Sequence, residues 1–348
     1  MVLMAVDHAS GVFNAGRLMT DGIALYTPGS ALPTAQFLTR WITHLCAPTF
    51  VFLAGTALAL SVARRREAGD TEAQIDRFLV TRGAFIALLD PLWMSWVFAP
   101  GQVLLQVLYA IGASLAAMAL LRRVPDRWLL AGAIVIVVGG EALTGLALVL
   151  GGGNPTLPVA LLLTGGQFGR LIVAYPLLPW LAIMVLGWCF GRTLTRVTTD
   201  AAARLLATAG AGALALFAVV RALNGYGNMR PLREGGSLVQ WLHVSKYPPC
   251  LSYTALELGL MAVLLAALLR ARQRGPAALL VLGQTALFFY LLHVHVLVAA
   301  ATALGLAHKG GLAATYAAAL AVLVVLYRPC ASYGRYKRAH PDGWARYV

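Results

Sequence analysis

The chain has 348 residues, of which 60% are hydrophobic and only 11% charged, where a soluble domain carries about 25% charge. With a mean hydropathy of +0.77, this composition excludes a disordered chain, a disulfide-rich secreted fold and a nucleic-acid module. The net charge of +14 lies in short basic clusters between apolar runs, which is the pattern of the positive-inside rule.

A hydrocarbon core takes roughly 20 apolar residues per helix. The opening run, Met1 to Ala15, is apolar and periodic but contains Asp7 and His8. At ~1.5 Å per residue it reaches only ~22 Å, so it is expected to be a first helix short of its beginning. It has no basic n-region and no small-residue cleavage site, and does not read as a signal peptide. Nine full-length spans follow, at about 41–63, 83–99, 102–121, 128–150, 171–191, 203–221, 248–269, 277–304 and 312–328. The predicted fold is all-α: a polytopic transmembrane bundle of about ten helices, with residues 1–348 forming a single integral-membrane domain.

When these helices alternate, 19 of the 27 lysines and arginines fall on one side. They comprise Arg64, Arg65 and Arg66 with Arg77 and Arg82, then Arg122, Arg123 and Arg127, then Arg192, Arg196 and Arg204. Arg270, Arg272 and Arg274 follow, and the tail adds Arg328, Arg335, Lys337, Arg338 and Arg346. That side is expected to be the cytoplasmic face of a bacterial inner membrane, with the C-terminus on it. Segments 16–40, 151–170, 222–247 and 305–311 then face outward. The Gly151–Gly153 and Gly165–Gly166 loops lack the Lys-Ser/Thr of a phosphate loop and read as turns. The four cysteines have no metal-ligand spacing, so no disulfide framework and no metal site is expected.

Ionisable groups inside a bilayer are costly, and each is a candidate functional residue. Asp7 and His8 lie within the first helix, His44 near the outer end of the second, and His293 and His295 in the outer half of the ninth. The last two, some 200° apart around a helix, cannot share a metal. By the same geometry Asp7 and His8 do not face one another. Asp7 is expected to meet a group on another helix, and His44 is the nearest in sequence. Asp90 precedes Pro91 and is expected to pair with an arginine at a helix end. In Ser245-Lys246-Tyr247-Pro248-Pro249, preceded by His243, the prolines suit the first turn of a helix. The unpaired N–H groups of that turn, beside Lys246, would make an anion site. Glu141 and Glu257 lie deeper. Asp7, His8, His44 and Lys246 are expected to line one cavity in the outer half of the membrane.

Several stretches resemble bacterial members of the heparan-α-glucosaminide N-acetyltransferase catalytic-domain family. They are the run from Met1 to His8, Leu38-Thr39-Arg40-Trp41, the block from Thr43 to Thr56, Val244 to Pro249, and the tail Tyr336-Lys337-Arg338-Ala339-His340-Pro341. The resemblance implies a multi-helix membrane acyltransferase. The lysosomal enzyme that names the family moves acetyl from cytosolic acetyl-CoA to a glucosamine amine on the far side, and a histidine is central to it. That histidine lies in a first outer loop. The corresponding loop here, 16–40, contains none, so the role passes to His8 or His44.

Acyl transfer needs a general base near neutrality, an orienting partner for it, and a donor to the developing oxyanion. The implied roles are His8 or His44 as base or acyl carrier, Asp7 as orienter, and Lys246 with the adjoining helix N-terminus as electrostatic support. Lys246, His243, Tyr247, His293 and Glu257 are the expected substrate-binding residues. Arg64, Arg65, Arg66, Arg122 and Arg123 are expected to dock the nucleotide of acetyl-CoA or another acyl-CoA. The acceptor is an amine or hydroxyl, glycan-like or a small molecule such as an amino-sugar. Membrane lipids and a second copy in a homodimer are the other expected partners. The rival reading is a proton-coupled transporter or a lipid or glycan flippase that uses Asp7, Glu141 and Glu257 as a relay. No repeat symmetry or paired broken helices of that class are visible.

Overall fold

The computed structural model describes residues 1–271, 275–340 and 343–347. Arg272, Arg274 and Pro341 lie outside the described residues.

Twelve principal helices follow in chain order: α1 (Val2–Phe13), α2 (Thr34–Thr43), α3 (Cys46–Glu67), α4 (Glu72–Leu89), α5 (Val107–Leu121) and α6 (Asp126–Leu150), then α7 (Leu177–Leu194), α8 (Thr199–Leu223), α9 (Leu251–Ala271), α10 (Ala277–Gln284), α11 (Ala286–Ala303) and α12 (Leu312–Ala339). Among the described residues eight helical segments are long and apolar enough to cross a membrane, with α2 and α3 forming one of them; α1 and α5 are shorter apolar helices. The expected all-α polytopic bundle of about ten helices is what the chain forms.

The element boundaries differ from expectation where apolar sequence is not helical. Three short strands, β1 (Val103–Leu105), β2 (Gly166–Phe168) and β3 (Leu171–Val173), pair in the order β1-β3-β2. β1 runs parallel to β3 and β2 antiparallel to it. The expected spans 102–121 and 171–191 therefore each begin with a strand. Helix α4 starts well before residue 83, fixed by a capping box. Thr71 Oγ1 accepts the Gln74 N–H at 3.3 Å, and Gln74 Oε1 accepts the Thr71 N–H at 2.7 Å. It continues through a π turn at Asp90–Met94 with Pro91 at its start, where a missing N–H disturbs the ordinary ladder. Asp90 is not paired to an arginine. Its buried Oδ2 accepts the N–H groups of Gln106 and Tyr109 at 2.8 and 2.7 Å and so caps α5.

The chain forms two compact units. The first comprises Met1–Met19, Ala31–Cys46 and Gln273–Val348. In it α1 packs against α2, α11 and α12, and its end is tied down where Gly310 N–H donates to the Phe13 carbonyl at 2.8 Å. The second comprises Thr20–Ser30 and Ala47–Arg272, built around the pairs α8–α9, α4–α5 and α6–α7. Small residues let backbones close up, as is common between membrane helices. A Cβ on Gly187 of α7 would lie 1.9 Å from the Phe52 carbonyl oxygen of α3, and one on Gly55 2.0 Å from that of Met184.

Candidate active site

In the first unit, α1 presents Asp7 and His8 to two different neighbours. Asp7 faces α2, where Arg40 and Thr43 lie on the buried stripe with Phe37. Its Oδ1 accepts from Arg40 Nη1 at 2.6 Å, from Thr43 Oγ1 at 3.0 Å and from Arg17 Nη2 at 2.9 Å. Arg17 Nη1 also donates to the Asp7 carbonyl at 2.6 Å. The expectation that Asp7 reaches another helix holds, and the guanidiniums of Arg17 and Arg40 hold it there. His44 is buried at the end of α2, directly after Thr43.

His8 faces α11. Its Nδ1 lies 2.6 Å from Nε2 of His293, with the rings 4.8 Å apart at an angle of 24°. His293 is fully buried, and its Nδ1 is 3.0 Å from the Phe289 carbonyl and 2.9 Å from that of Tyr290. Carbonyl oxygens only accept, so His293 Nδ1 carries the proton. In the neutral ring Nε2 is then an acceptor, and His8 Nδ1 must donate to it. The tautomer assigned to His8 leaves its Nε2 as the basic nitrogen. Phe289 stacks on His293 at 4.9 Å, and Tyr290 sits edge-on to His8 at 5.9 Å.

The other expected substrate residues belong to the second unit. Lys246 is 4% exposed, with its ammonium 5.1 Å from the Tyr247 ring centroid and 6.0 Å from that of Tyr175. These are cation–π distances. Glu257 is 1% exposed, its Oε1 makes no hydrogen bond among the described residues, and Lys246 is the charge that acts on it. His243 Nε2 bonds the Thr20 carbonyl at 2.8 Å, and its ring meets Tyr26 edge-on. Burial holds His243 below the ordinary imidazole range, and the Thr20 carbonyl opposes this in part. The neighbouring Tyr26 hydroxyl donates to Glu234, whose carboxylate also accepts the Gly29 N–H at 3.0 Å.

The prolines do not open the helix. Pro248 follows a cis peptide, and α9 starts only at Leu251. Two of its first N–H groups are already used: Ser252 donates to the Gly227 carbonyl at 2.8 Å and Tyr253 to Cys250 Sγ at 3.3 Å. The prolines therefore do not supply the first helical turn on which the expected anion site rested, and Lys246 remains as the positive group.

Most of the arginines expected to dock a nucleotide face carboxylates of the chain itself. Arg122 bonds Glu72 and Asp76 with its side chain closed to solvent, Arg123 bonds Asp76, Arg66 bonds Glu72 at 2.8 Å, and Arg65 bonds Asp70 at 2.7 Å. Arg64 is exposed and donates only to the Leu60 carbonyl, at 3.3 Å. Among the described residues no group of three or more histidines, cysteines and carboxylates is arranged to hold a metal.

Residues 25–222 match the family model described as heparan-alpha-glucosaminide N-acetyltransferase, catalytic. The chain belongs to this family. It is an integral membrane protein of acetyltransferase type, in a family whose general donor is acetyl-CoA. The matched residues include His44, Arg40 and the basic clusters at 64–82, 122–127 and 192–204, while His8, Lys246, Glu257 and His293 lie outside them. No curated protein and no solved structure matches the chain.

Sequence reasoning did not find the His8–His293 contact or the roles of Arg17 and Arg40. Arg40 carried a usable signal: an arginine on the buried stripe of an apolar helix needs a carboxylate, and Asp7 is the acidic residue of α1. The histidine pair carried none, because the two residues are 285 positions apart.

Proposed function

We propose that the chain transfers an acetyl group from acetyl-CoA to a primary amine, of the amino-sugar kind, with His8 as the general base. The observation that carries this reading is the hydrogen-bonded series from the Phe289 and Tyr290 carbonyls through His293 to His8. It holds an imidazole in one tautomer in a membrane protein of an acetyltransferase family, which is what a fixed base requires. The amine nitrogen attacks the thioester carbonyl, the N–C bond forms and the C–S bond breaks. The proton lost by the amine passes to His8 Nε2 and then to the departing thiolate. The donor comes from the cytoplasm and the acceptor from outside.

Two of the three carboxylates that a proton relay would use are committed elsewhere. Asp7 is held by two guanidiniums, and Glu141 Oε2 accepts the N–H groups of Gly227 and Met229 at 2.6 and 3.1 Å. Reconstituted vesicles separate the readings: labelled acetyl-CoA is supplied on one side only and acetylation of an amino-sugar on the other is measured. Transfer from the cytoplasmic side supports the proposal. Transfer only with donor on the outer side reverses its direction, and proton-driven uptake without transfer replaces it with the transporter.

A further inference from the structure

Helix α4 buries Ile75, Leu79, Gly83 and Ile86, and Arg82 lies on the same stripe at helical spacing. It stands ten residues into the helix, ~15 Å from its start at 1.5 Å per residue. Arg82 is half-buried, its Nε is shut off from solvent, and it makes no ion pair or side-chain hydrogen bond among the described residues. The charge that acts on it is another cation, Arg65, whose guanidinium lies 3.7 Å over the Phe78 ring one turn back along α4.

The rest of this end of the second unit shows how exceptional that is. Asp70, Glu72, Asp76 and Asp126 are taken up by Arg65, Arg66, Arg122, Arg123, Arg192 and Arg196. Arg64, Arg77, Arg127, Arg204 and Arg270 have no ion pair among the described residues but are exposed, where water serves them. Arg221, which is fully buried, is satisfied by Asn228 Oδ1 and by the carbonyls of Pro231, Gln240 and Trp241. A half-buried guanidinium beside a like charge, in a membrane helix, is costly unless an anion joins it.

We propose that Arg82, with Arg65 and the ring of Phe78, forms a binding subsite for a phosphate-bearing ligand. The guanidinium fork suits phosphate oxygens, and Asp70, Glu72, Asp76 and Asp126 are already engaged by other arginines. The phosphate comes either from the nucleotide of a CoA thioester, which rests on the donor assigned above, or from an anionic lipid headgroup.

The test uses the purified full chain. Arg82 is exposed to phenylglyoxal and its modification is read by peptide mass spectrometry, with CoA, with inorganic pyrophosphate, or in nanodiscs rich in phosphatidylglycerol. CoA is expected to protect Arg82, and Arg82→Gln to weaken CoA binding at least ten-fold in titration calorimetry. Arg82→Lys should lose less, and Arg77→Gln, exposed on the same helix, should bind as the wild type does. Protection by phosphatidylglycerol but not by CoA assigns the subsite to lipid. Protection by none of the three overturns the subsite, and unaltered CoA binding by Arg82→Gln overturns its assignment to the nucleotide. CoA protection without any acetyl transfer leaves the subsite standing and removes the acyl-transfer reading. The chemical protection is read on wild-type protein, so the test survives a variant that does not fold.

Discussion

His8 is oriented by a ring that is itself oriented by two backbone carbonyls, so the two histidines have separable roles. His8→Ala removes the base. His293→Leu leaves the base but frees its ring, so His293 is a positioning residue. Glutamine at 293 still offers an acceptor to His8 Nδ1. The expected order of kcat is wild type, then His293→Gln, then His293→Leu, with the last down about ten-fold or more, and His8→Ala lowest. A purely structural His293 would give Gln and Leu variants with equal kcat and parallel losses of thermal stability. Arg40→Leu leaves the Asp7 carboxylate with one guanidinium fewer and should cost about 3 kcal/mol, read as a fall in the unfolding midpoint. The sequence shows which residues are chemically unusual, because Asp7, His8, Arg40 and His293 all interrupt apolar runs. It does not show their partners, since the direction each points depends on helix rotation and on contacts made hundreds of residues away.

At the scale of elements, segment 20–30 and the loop 222–247 are joined within the second unit by Tyr26, Glu234 and His243. The clasp has a pH window fixed by its own groups. His243 is held low by burial, so its neutral form stabilises the fold above ~6.5 and that contribution fades as pH falls below it. Glu234 is held low by the Tyr26 hydroxyl and the Gly29 N–H, so its contribution is lost as pH falls through the carboxylate range. Tyr26 is pushed up to about 12 by burial and by Glu234, so its contribution is lost as pH rises from ~10 upward. Proteolysis after Arg233 should be slowest between about pH 6.5 and 10 and faster on either side; a flat profile would remove the clasp. In the helix pairs, Gly187→Ala puts a Cβ into the Phe52 carbonyl and should destabilise by roughly 1–3 kcal/mol. Gly132→Ala, with open space around its Cβ, should be close to neutral. Hydropathy located the spans because burial in lipid needs long apolar runs. It missed β1 to β3 because three-residue strands of Val, Leu and Ile are equally apolar, and it misread Asp90 because capping a distant helix leaves no local mark.

For the molecule as a whole, the charge asymmetry predicts that the Arg64–Arg82 segment and the C-terminus share the cytoplasmic side. Cysteines placed at Ser30 and Ser237 should react with an impermeant maleimide in intact cells, and protection of both would invert the topology. The division into two units was not visible in the sequence, because the first unit is assembled from three separate stretches of chain whose hydropathy is that of the rest. The central claim is that a membrane protein of this family uses His8 as the base for acetyl transfer. The most direct measurement is the initial rate of transfer from labelled acetyl-CoA to an amine, in proteoliposomes, for the wild type and for His8→Ala with an unchanged unfolding midpoint. Measurable transfer by the wild type and a loss of about 10² or more in the variant are expected; equal rates for the two proteins would contradict His8 as the base.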